Sequence, residues 1–365
     1  MSARARILVM AGGTGGHVYP ARAVALELIE RGHRVDWVGT RRGLETRVVP
    51  AAGLVLHTLV VRGVRGKNPL HTLLGLAALC WAQLQALALV ARLRPACVLG
   101  MGGYAAGPAG LAAWLLRRPL VVHEQNAVAG TTNRLLAPLA RRVLAGFPGA
   151  FAGREDVRVL GNPVRAELLA AAQRKQWQFD GQRPLRLLVM GGSLGARPIN
   201  RLLPDAIRCL CDVHGEAAIE VLHQTGSADA QAVAASYGDL LGEQVRVWEF
   251  IDDMAGAYGW ADLVLCRAGA LTVAELAVMG LPSLLVPLPQ AIDDHQTANA
   301  RSLADRGAGL LLRQAELDAP RLARTLGGFI EHPQQLESMA AAARTAALPE
   351  ATACVADCCE ELCHG

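Results

Sequence analysis

Short apolar runs alternate with longer helical patterns along the whole chain. In residues 1–165 the apolar runs predict strands at 6–11, 34–39, 54–61, 96–100, 119–122, 143–146 and 157–160, with helices over 18–31 and 70–92. In residues 166–365 they predict strands at 185–190, 218–223, 245–249, 262–265 and 283–286, with helices over 198–211, 271–279, 334–346 and 350–362. Strands that alternate with helices are typical of parallel, doubly wound sheets, so the predicted fold class is α/β.

Two of the predicted strands run into glycine-rich turns of nearly the same sequence. Residues 7–17 read ILVMAGGTGGH, and residues 187–196 read LLVMGGSLGA. A turn of this kind places backbone N–H groups next to the positive N-terminus of a helix, which favours phosphate binding. The repeat predicts two Rossmann-like domains that face each other across a ligand-binding cleft.

A turn at Gly161-Asn162-Pro163, followed by a polar stretch over 173–186, marks a predicted domain boundary. We expect an N-terminal domain over 1–163, a second domain over 164–345 and a helical tail over 346–365. A chain of 365 residues is long enough for each domain to bury a core of its own.

Charge is unevenly distributed between the two halves. Residues 1–165 hold 21 Lys and Arg against 7 Asp and Glu, whereas residues 166–365 hold 15 against 25. This asymmetry predicts a polyanion or an anionic membrane near the first half. Aromatic residues, on which nucleic-acid bases would stack, make up only 4% of the chain, so no nucleic-acid partner is expected.

Four of the nine cysteines lie near the C-terminus, at Cys354, Cys358, Cys359 and Cys363. On a helix they would form two pairs four residues apart, so a metal ion or a disulfide is an alternative to simple packing. The short apolar run after Arg6 is interpreted as a strand and not as an export signal. We therefore expect a cytosolic protein whose thiols are reduced and pack as small apolar side chains.

Residues 71–91 form a segment of 21 positions without a charged residue. Its hydropathy is that of a membrane-spanning candidate, but it lies between two strands of one predicted sheet, which argues against spanning. Its apolar positions surround the whole helix, more than packing on a sheet requires. One interpretation buries the remaining face under another core element, and the other exposes it as a patch that enters a bilayer surface. In the second case five flanking basic residues would face anionic headgroups: Arg62, Arg65, Lys67, Arg92 and Arg94.

His17 is the most specific candidate for chemistry in the first glycine turn. A histidine at a helix N-terminus, next to amides that can hold phosphate, is placed to act as a general base. A capping or packing role is the alternative. The turn lacks the Gly-x-Gly-x-x-Gly fingerprint of dinucleotide sites, although Asp36, about 20 residues further on, would suit an NAD site.

Further polar residues follow other predicted strands. Residues 100–104 (GMGGY) add another glycine turn, and residues 123–126 (HEQN) place four polar side chains at a strand end, among them the carboxylate of Glu124. In residues 266–275 (CRAGALTVAE) a strand again runs into a helix. Here Thr272 can cap the helix, the helix amides can hold phosphate, and Glu275 can accept both vicinal hydroxyls of a ribose. Complementing the helix dipole is the alternative role of Glu275.

Together these segments resemble the MurG family of peptidoglycan glucosaminyltransferases, which convert lipid I to lipid II. The similar pieces, in order between about residue 6 and residue 345, are GTGGH at 13–17, GMGGY at 100–104, HEQN at 123–126, GNPVR at 161–165, GGS at 191–193, FIDDM at 250–254 and RAGALTVAE at 267–275, followed by Gln296 and Asn299. The resemblance implies a GT-B glycosyltransferase fold, with two Rossmann-like domains on either side of a cleft.

By this resemblance the donor is UDP-N-acetylglucosamine and lies mainly on the second domain. Donor contacts are implied for Arg165 and Ser193 at the diphosphate, Ile251 at the uracil, Glu275 at the ribose and Gln296 at the sugar. Helix N-terminal contacts to the diphosphate are implied for Ala270, Leu271, Thr272, Val273 and Ala274. Thr14, Gly15, Gly16 and Asn126 of the first domain would close over the donor. Residues 288–295 depart from the family pattern by being longer and more acidic.

The implied reaction is a single displacement with inversion. The 4-hydroxyl of the muramoyl residue attacks the anomeric carbon of the donor, and UDP leaves. His17 is the candidate base, and Glu124 is the competing carboxylate. No cofactor is expected, and the lack of an Asp-x-Asp motif fits transfer without a metal ion.

The implied acceptor is undecaprenyl-diphospho-N-acetylmuramoyl-pentapeptide, or lipid I. An acceptor anchored in this way implies a peripheral protein on the cytoplasmic face of the bacterial inner membrane, in contact with the anionic leaflet. Other cell-wall synthesis proteins are implied as further partners.

Three other functions stay open from the residues alone. They are an NAD-dependent oxidoreductase, a UDP-N-acetylglucosamine 2-epimerase of the same fold, and a non-catalytic membrane recruiting module. The apolar segment with basic flanks argues against the first two, and the complete donor motif argues against the third.

Overall fold

The chain forms two compact units, Met1–Arg165 with Pro349–Gly365, and Ala166–Leu348. The computed structural model describes residues 4–61, 69–175, 178–192, 196–289 and 294–363. The junction between the units lies two residues beyond the boundary expected at residue 163. Residues 349–365, expected as a separate tail, group with the first unit.

A parallel sheet of seven strands forms the centre of the first unit. Its order is β3-β2-β1-β4-β5-β6-β7, the Rossmann order of six strands with one strand added at the edge. The strands are β1 Arg6–Met10, β2 Arg34–Thr40, β3 Val55–Leu59, β4 Cys97–Gly100, β5 Leu120–Glu124, β6 Arg142–Ala145 and β7 Val157–Val159.

Helices cover both faces of this sheet. They are α1 Gly15–Glu30, α2 Glu45–Ala51, α3 Pro69–Leu93, α4 Ala106–Leu115, α5 Thr131–Leu136 and, from the C-terminal end of the chain, α14 Ala351–Cys363. Successive residues of β1 face opposite sides: Ile7 and Val9 pack with α1 and α14, whereas Leu8 and Met10 pack with α3 and α4. The strand is apolar throughout because both faces of a parallel sheet are buried.

The second unit repeats this plan with six parallel strands in the order β10-β9-β8-β11-β12-β13. The strands are β8 Leu185–Met190, β9 Ile219–Gln224, β10 Val245–Trp248, β11 Leu263–Cys266, β12 Ser283–Leu285 and β13 Gly309–Leu311. The helices are α6 Ala166–Arg174, α7 Arg197–His214, α8 Ala230–Tyr237, α9 Met254–Trp260, α10 Ala270–Met279, α11 His295–Ala304, α12 Ala319–Glu331 and α13 Pro333–Ala346. The predicted α/β class, with two Rossmann-like doubly wound sheets, is confirmed.

Helix α1 begins earlier than the sequence pattern predicts. Gly15 and Gly16 form its first turn, and the N–H groups of His17 and Val18 both donate to the carbonyl oxygen of Thr14, at 3.1 and 3.2 Å. The predicted start at residue 18 is therefore wrong. The apolar pattern becomes visible only at Val18 because the preceding glycines have no side chains that could reveal the turn.

Helix α14 is held on the first unit by a buried apolar face and by ion pairs. Val355 and Cys359 are fully buried in the same core cluster as α1 and β1. At the C-terminal end of α1, Arg31 contacts Asp357 at 2.5 Å and Glu360 at 2.7 Å. All nine cysteines of the chain are free thiols.

The long apolar segment forms helix α3. In its described part Ala82 is fully buried, whereas Leu79, Trp81 and Leu84 are 40%, 56% and 59% exposed. These exposures do not fit the interpretation that buries the remaining face under another core element. Within the parts of the chain that the structure describes, no helix combines the length and the apolar character needed to cross a membrane.

Candidate active site

His17 is the third residue of α1, which begins directly after the glycine turn that follows β1. Its Nδ1 atom lies 2.7 Å from Oε1 of Gln125, in the loop after β5. Strands β1 and β5 flank β4 in a parallel sheet, so their carboxyl ends lie at one edge, where ligands bind in folds of this type. The fold thus joins two motifs that are 108 residues apart in the sequence.

The glycine turn after β4 packs against His17 and against the first glycine turn. Gly102 has a φ of +99°, and a side-chain carbon there would lie 3.0 Å from ring atoms of His17. Gly103 has a φ of +88°, and a side-chain carbon there would overlap the carbonyl oxygen of Gly12. Both positions need glycine for conformation and for space. The turn therefore packs directly against the imidazole of His17.

Buried polar contacts continue from Gln125 to two further groups. Nε2 of Gln125 lies 3.0 Å from Nδ1 of His123 and 3.0 Å from the His123 carbonyl oxygen. Nε2 of His123 in turn lies 2.9 Å from the carbonyl oxygen of Gly161. Burial lowers the pKa of His123, so its imidazole is neutral at physiological pH.

The carboxylate of Glu124, the last residue of β5, accepts hydrogen bonds from the loop that follows and from α5. One carboxylate oxygen accepts from the N–H and the side-chain amide of Asn126, at 2.9 and 3.1 Å. The other accepts from the N–H of Gly130 at 3.0 Å and from Nδ2 of Asn133 at 2.8 Å. With 1% of its surface exposed and four N–H donors around it, Glu124 shapes this loop. A carboxylate in this setting is poorly placed to take a proton from a substrate.

Glu45, which the sequence analysis did not identify, accepts a hydrogen bond from the first glycine turn. It is fully buried and accepts hydrogen bonds from the N–H of Gly13 at 2.9 Å and from the N–H and hydroxyl of Thr40, both at 2.7 Å. Side-chain carbons at Gly12 or Gly39 would lie 2.6 Å from its side-chain atoms. The turn after β1 is therefore shaped by a buried carboxylate, which occupies the N–H of Gly13.

Of the other first-unit candidates, Thr14, Gly15 and Gly16 lie at the start of α1, and Asn126 and Arg165 lie in other segments. Thr14 is the exposed N-cap residue of α1, and Gly15 and Gly16 are its first two residues. Asn126, half-buried, follows Gln125 in the loop after β5. Arg165, the last residue of this part of the first unit, lies over the Tyr19 ring, 5.8 Å from its centroid.

In the second unit, β11 runs into α10 at the segment expected to hold the diphosphate. The helix begins at Ala270, with Gly269 at the N-cap position. The predicted capping role of Thr272 is wrong, because Thr272 is the third residue of the helix and Gly269 has no side chain with which to cap. Leu271, Thr272 and Ala274 are half-buried, and Val273 is fully buried. The positive N-terminus of α10 lies at the carboxyl edge of the second sheet, where an anionic group would be stabilised.

Glu275 lies one turn inside α10 and is only 5% exposed. Its Oε2 accepts a hydrogen bond from the Tyr258 hydroxyl of α9 at 3.2 Å. Burial, assisted by the charge of Glu275, raises the pKa of the nearby Cys266 thiol to about 12, so the thiol stays neutral. A carboxylate has lone pairs for several donors, so this position is chemically compatible with the hydroxyls of a ribose.

Arg267, directly after β11, forms hydrogen bonds with the segment after β12 and with Gln314. Its guanidinium donates to the carbonyl oxygens of Val286 and Pro287, both at 3.1 Å, and to Oε1 of Gln314 at 2.7 Å. Burial lowers its pKa, but the group stays cationic. The contacts shown are with neutral acceptors, so Arg267 adds positive charge near the N-terminus of α10.

Two residues of α11 form hydrogen bonds with the backbone of the loops that follow β11 and β12. Nδ2 of the buried Asn299 donates to the carbonyl oxygen of Ala268 at 3.1 Å. Oε1 of Gln296 accepts from the N–H of Leu288 at 2.9 Å. Both residues therefore position backbone around α10. Residues 290–293, within the departure from the family pattern, lie outside the described residues.

The loop between β10 and α9 contains the candidate for the uracil contact. Ile251 in this loop is 4% exposed. Asp253 caps α9 by accepting from the N–H of Gly256 at 2.8 Å, which fixes the direction of the loop. Ser193, the second candidate for the diphosphate, lies outside the described residues.

The NAD alternative depended on Asp36, and the structure places this residue inside β2. Its carboxylate is 1% exposed and contacts Nε2 of His57 at 2.9 Å and Nε of Arg6 at 3.4 Å. A ribose-binding acid of a dinucleotide site has to lie at the carboxyl end of its strand. Asp36 is the third residue of β2 and already has cationic and imidazole partners, so it does not serve such a site.

The terminal thiols pack inside the first unit. Hydrogen bonds with Cys359 and Cys363 raise the pKa of the buried Cys97 thiol, so Cys97 is protonated. Of the residues placed in the structure, no three His, Cys, Asp or Glu side chains are grouped so as to hold a metal ion.

Nearly the whole chain is similar to known glycosyltransferases. Residues 7–145 match the glycosyltransferase family 28 N-terminal domain, and residues 186–354 match the glycosyltransferase family 28 C-terminal domain. The chain is 54% identical over 359 residues to the UDP-N-acetylglucosamine–N-acetylmuramyl-(pentapeptide) pyrophosphoryl-undecaprenol N-acetylglucosamine transferase of Pseudomonas putida strain W619, covering 98% of each chain. The transferase of the same name from Pseudomonas entomophila strain L48 is 53% identical over the same length and coverage.

A solved structure supports the same relationship. The crystal structure of Acinetobacter baumannii MurG matches with a TM-score of 0.81 and 37% sequence identity, over 98% of this chain and 99% of that one.

Proposed function

Because the chain belongs to glycosyltransferase family 28, and within it to the MurG family, we propose that it transfers N-acetylglucosamine from UDP-N-acetylglucosamine to lipid I. The product is lipid II, the precursor of peptidoglycan. The observation that carries this proposal is 54% identity over 359 residues to a curated relative whose name states this transfer.

His17 is the proposed general base for the acceptor hydroxyl. Its imidazole lies at the carboxyl edge of the first sheet, next to Gly102 and hydrogen-bonded to Gln125. As the 4-hydroxyl oxygen of the muramoyl residue attacks the anomeric carbon, its proton passes to the imidazole. The bond from the anomeric carbon to the diphosphate oxygen breaks on the opposite side, so configuration inverts. Glu124, whose carboxylate accepts four hydrogen bonds from the loop after β5 and from α5, takes a supporting role in this proposal.

The second unit supplies the proposed donor contacts. The N-terminus of α10, at Ala270, Leu271, Thr272, Val273 and Ala274, would stabilise charge on the leaving diphosphate. Glu275 would accept the ribose hydroxyls, Ile251 would contact uracil, and Gln296 would contact the sugar.

Five first-unit residues and Ser193 complete the proposed donor set. Arg165 and Ser193 are proposed at the diphosphate. Thr14, Gly15, Gly16 and Asn126 are proposed as further donor contacts. These roles follow from motif positions and are predictions for mutagenesis.

We also propose that the first unit binds the anionic surface of the cytoplasmic membrane leaflet. The supporting observation is the set of exposed apolar side chains on helices that pack on one another: Leu79, Trp81 and Leu84 on α3, Trp114 and Leu115 on α4, and Leu135 on α5. Exposed basic residues follow α3 and α4, at Arg94 and Arg117. Arg62, Arg65 and Lys67, expected to contribute, lie outside the described residues. Contacts with other cell-wall synthesis proteins stay a prediction.

UDP release by the purified full chain tests the proposed activity. UDP should be released from UDP-N-acetylglucosamine only when a lipid-linked muramoyl acceptor is supplied. His17→Ala should lower kcat by about 10²–10⁴ while UDP affinity stays within a few fold. Epimerisation of the donor without acceptor, or tight NAD binding, would point to the rival enzymes. A His17→Ala enzyme with the wild-type kcat would remove His17 as the base.

A further inference from the structure

The buried groups behind His17 determine which of its two nitrogens can accept a proton. Four groups form a continuous series: the Gly161 carbonyl, the His123 ring, the Gln125 amide and the His17 ring. All lie in the first unit. His17 is the last group of this series. Which of its ring nitrogens carries the proton therefore depends on Gly161, His123 and Gln125.

The first link fixes the tautomer of His123. A carbonyl oxygen can only accept, so the 2.9 Å contact between Gly161 O and His123 Nε2 requires a proton on Nε2. His123 is fully buried, and its burial disfavours a second proton on the ring. Nδ1 of His123 is therefore an acceptor.

The second link fixes the orientation of the Gln125 amide. The same end of the amide lies 3.0 Å from Nδ1 of His123 and 3.0 Å from the His123 carbonyl oxygen. Both partners are acceptors, so the NH₂ group must face them and donate one proton to each. The opposite orientation would place the amide oxygen against two acceptors in a buried site, which is strongly unfavourable.

The third link transfers this constraint to His17. With its NH₂ group facing His123, Gln125 presents its carbonyl oxygen to Nδ1 of His17 at 2.7 Å. That oxygen can only accept, so Nδ1 of His17 must carry the proton. In the neutral ring the acceptor nitrogen is then Nε2.

We propose that Gln125 and His123 are positioning residues that hold His17 as the Nδ1–H tautomer, with Nε2 as the atom that receives the acceptor proton. The proposal rests on the proposed transferase function for its catalytic meaning, but its structural content stands without it. The neutral amide orients the base through a single accepted hydrogen bond. The constraint originates at Gly161, in the GNPVR motif, which explains a role of that motif in the first unit.

The wild-type protein provides the most direct test. Nitrogen-15 histidine labelling of the full chain, with two-bond proton–nitrogen correlation spectra, distinguishes protonated from unprotonated ring nitrogens. The His17 signals are identified by their loss in His17→Gln. For the neutral rings we expect a protonated Nδ1 and an unprotonated Nε2 in His17, and the reverse in His123. A His17 ring protonated on Nε2, or one that exchanges freely between tautomers, would overturn the proposal.

Gln125→Leu tests the link between the amide and the base. It should allow the Nε2–H form of His17 to appear and should lower kcat roughly ten- to a hundredfold with UDP affinity unchanged, a smaller loss than removal of the base itself. Gln85→Leu is the matched control for the spectra, because Gln85 also uses its amide oxygen to accept a backbone N–H, from Val60 at 3.0 Å. It should leave the His17 signals unchanged. Unchanged His17 signals in a folded Gln125→Leu would contradict the proposal.

Gln125→Glu separates positioning from general structural support. A carboxylate retains an acceptor for Nδ1–H of His17, so that tautomer should persist. The oxygen that replaces the NH₂ group lies against Nδ1 and the carbonyl oxygen of His123, so Nδ1 of His123 should take up a proton and the His123 signals should change. Loss of the Nδ1–H form of His17 in a folded Gln125→Glu would contradict the proposal.

The failure of this proposal is distinguishable from the failure of the proposed function. A His17→Ala enzyme with unchanged kcat removes the base assignment, whatever the tautomer. An Nε2–H tautomer in the wild-type spectrum removes the positioning role of Gln125 and His123, whatever the activity.

Discussion

Glu45, Glu124 and Glu275 are three of the buried carboxylates that contact N–H or O–H donors in the described structure. Glu45 accepts from Gly13 and Thr40, Glu124 accepts from four N–H groups of the loop after β5 and of α5, and Glu275 accepts from Tyr258. Hydrogen bonds to a charged acceptor are worth about 1.5–3 kcal/mol each, so such groups shape backbone effectively. The first two support loops of the first unit, whereas Glu275 lies at the proposed ribose site.

Removing the Glu275 carboxylate should weaken UDP binding. The lost hydrogen bonds from a charged acceptor correspond to about 1–3 kcal/mol for Glu275→Ala. Tyr258→Phe, which removes only the hydroxyl that orients the carboxylate, should cost less, about 1 kcal/mol or below. Isothermal titration calorimetry with UDP measures both, with thermal melting as the check on folding. Unchanged UDP affinity in a folded Glu275→Ala would exclude the ribose role.

Sequence motifs revealed the candidate residues whose chemistry is local, and missed those that act across the fold. His17 stands at the start of a recognisable helix, and Glu275 follows a strand-to-helix turn. Glu45 could not be found in this way, because its donors Gly13 and Thr40 meet it only after β1 and β2 have paired. The four donors around Glu124 cannot be inferred from the sequence, so the sequence alone leaves Glu124 as a competing base.

At the scale of elements, helix α3 combines a buried side with an exposed apolar side. Burying one large apolar side chain is worth about 1.5–3 kcal/mol. Replacing Leu79, Trp81 and Leu84 together by serine should therefore lower binding to anionic vesicles at least about tenfold without changing UDP affinity. Vesicle co-sedimentation at several lipid concentrations measures the effect.

A matched control for this surface lies in the second unit. Val213 of α7 is 75% exposed, and Val213→Ser should leave vesicle binding unchanged. If the α3 variant binds vesicles as the wild type does, the face is not a membrane contact. If it unfolds while single substitutions also destabilise the chain, the face is part of the core.

A buried histidine links β9 to α7 and α8 and should make stability depend on pH. His223 lies 3.2 Å from Oδ1 of Asn200 and 3.0 Å from the hydroxyl of Tyr237. Burial lowers its pKa from 6.5 to about 4. Between these two pKa values the unfolded chain binds the proton and the folded chain does not. The contribution of neutral His223 to the free energy of unfolding is therefore complete above pH 6.5 and is lost as the pH falls towards 4.

Urea unfolding at several pH values measures this contribution. Across the window from 6.5 to 4, His223 should change the free energy of unfolding by up to about 1.4 kcal/mol per pH unit. His223→Gln should be less stable than the wild type at pH 7 and should show a shallower slope in this window. Equal slopes in the two proteins would mean that His223 does not titrate on unfolding.

Element types followed from the sequence more reliably than element starts. Long apolar runs such as Leu185–Met190 are unmistakable strands because a parallel sheet buries both faces. The sequence pattern places the start of α1 and the cap of α10 incorrectly, because glycines occupy the N-terminal positions of both helices. Helix α2, Glu45–Ala51, is too short for a helical period to stand out.

At the scale of the whole molecule, two sheets share the strand order 3-2-1-4-5-6 but carry different chemistry. The first unit presents a histidine, two glycine turns and an exposed apolar helix face, whereas the second presents a helix N-terminus and a buried carboxylate. The repeated strand–glycine turn in the sequence predicted this duplication. The assignment of residues 349–365 to the first unit could not be predicted, because it depends on contacts between α14 and α1 that are distant in sequence.

Mass spectrometry of the lipid product tests the central claim most directly. The full chain is incubated with UDP-N-acetylglucosamine and lipid I, and the lipid fraction is analysed before and after the reaction. The account predicts that lipid I gains the mass of one N-acetylglucosamine residue, in equal amount to the UDP released. UDP release without a change in the lipid, or donor conversion to its 2-epimer with no lipid product, would contradict it.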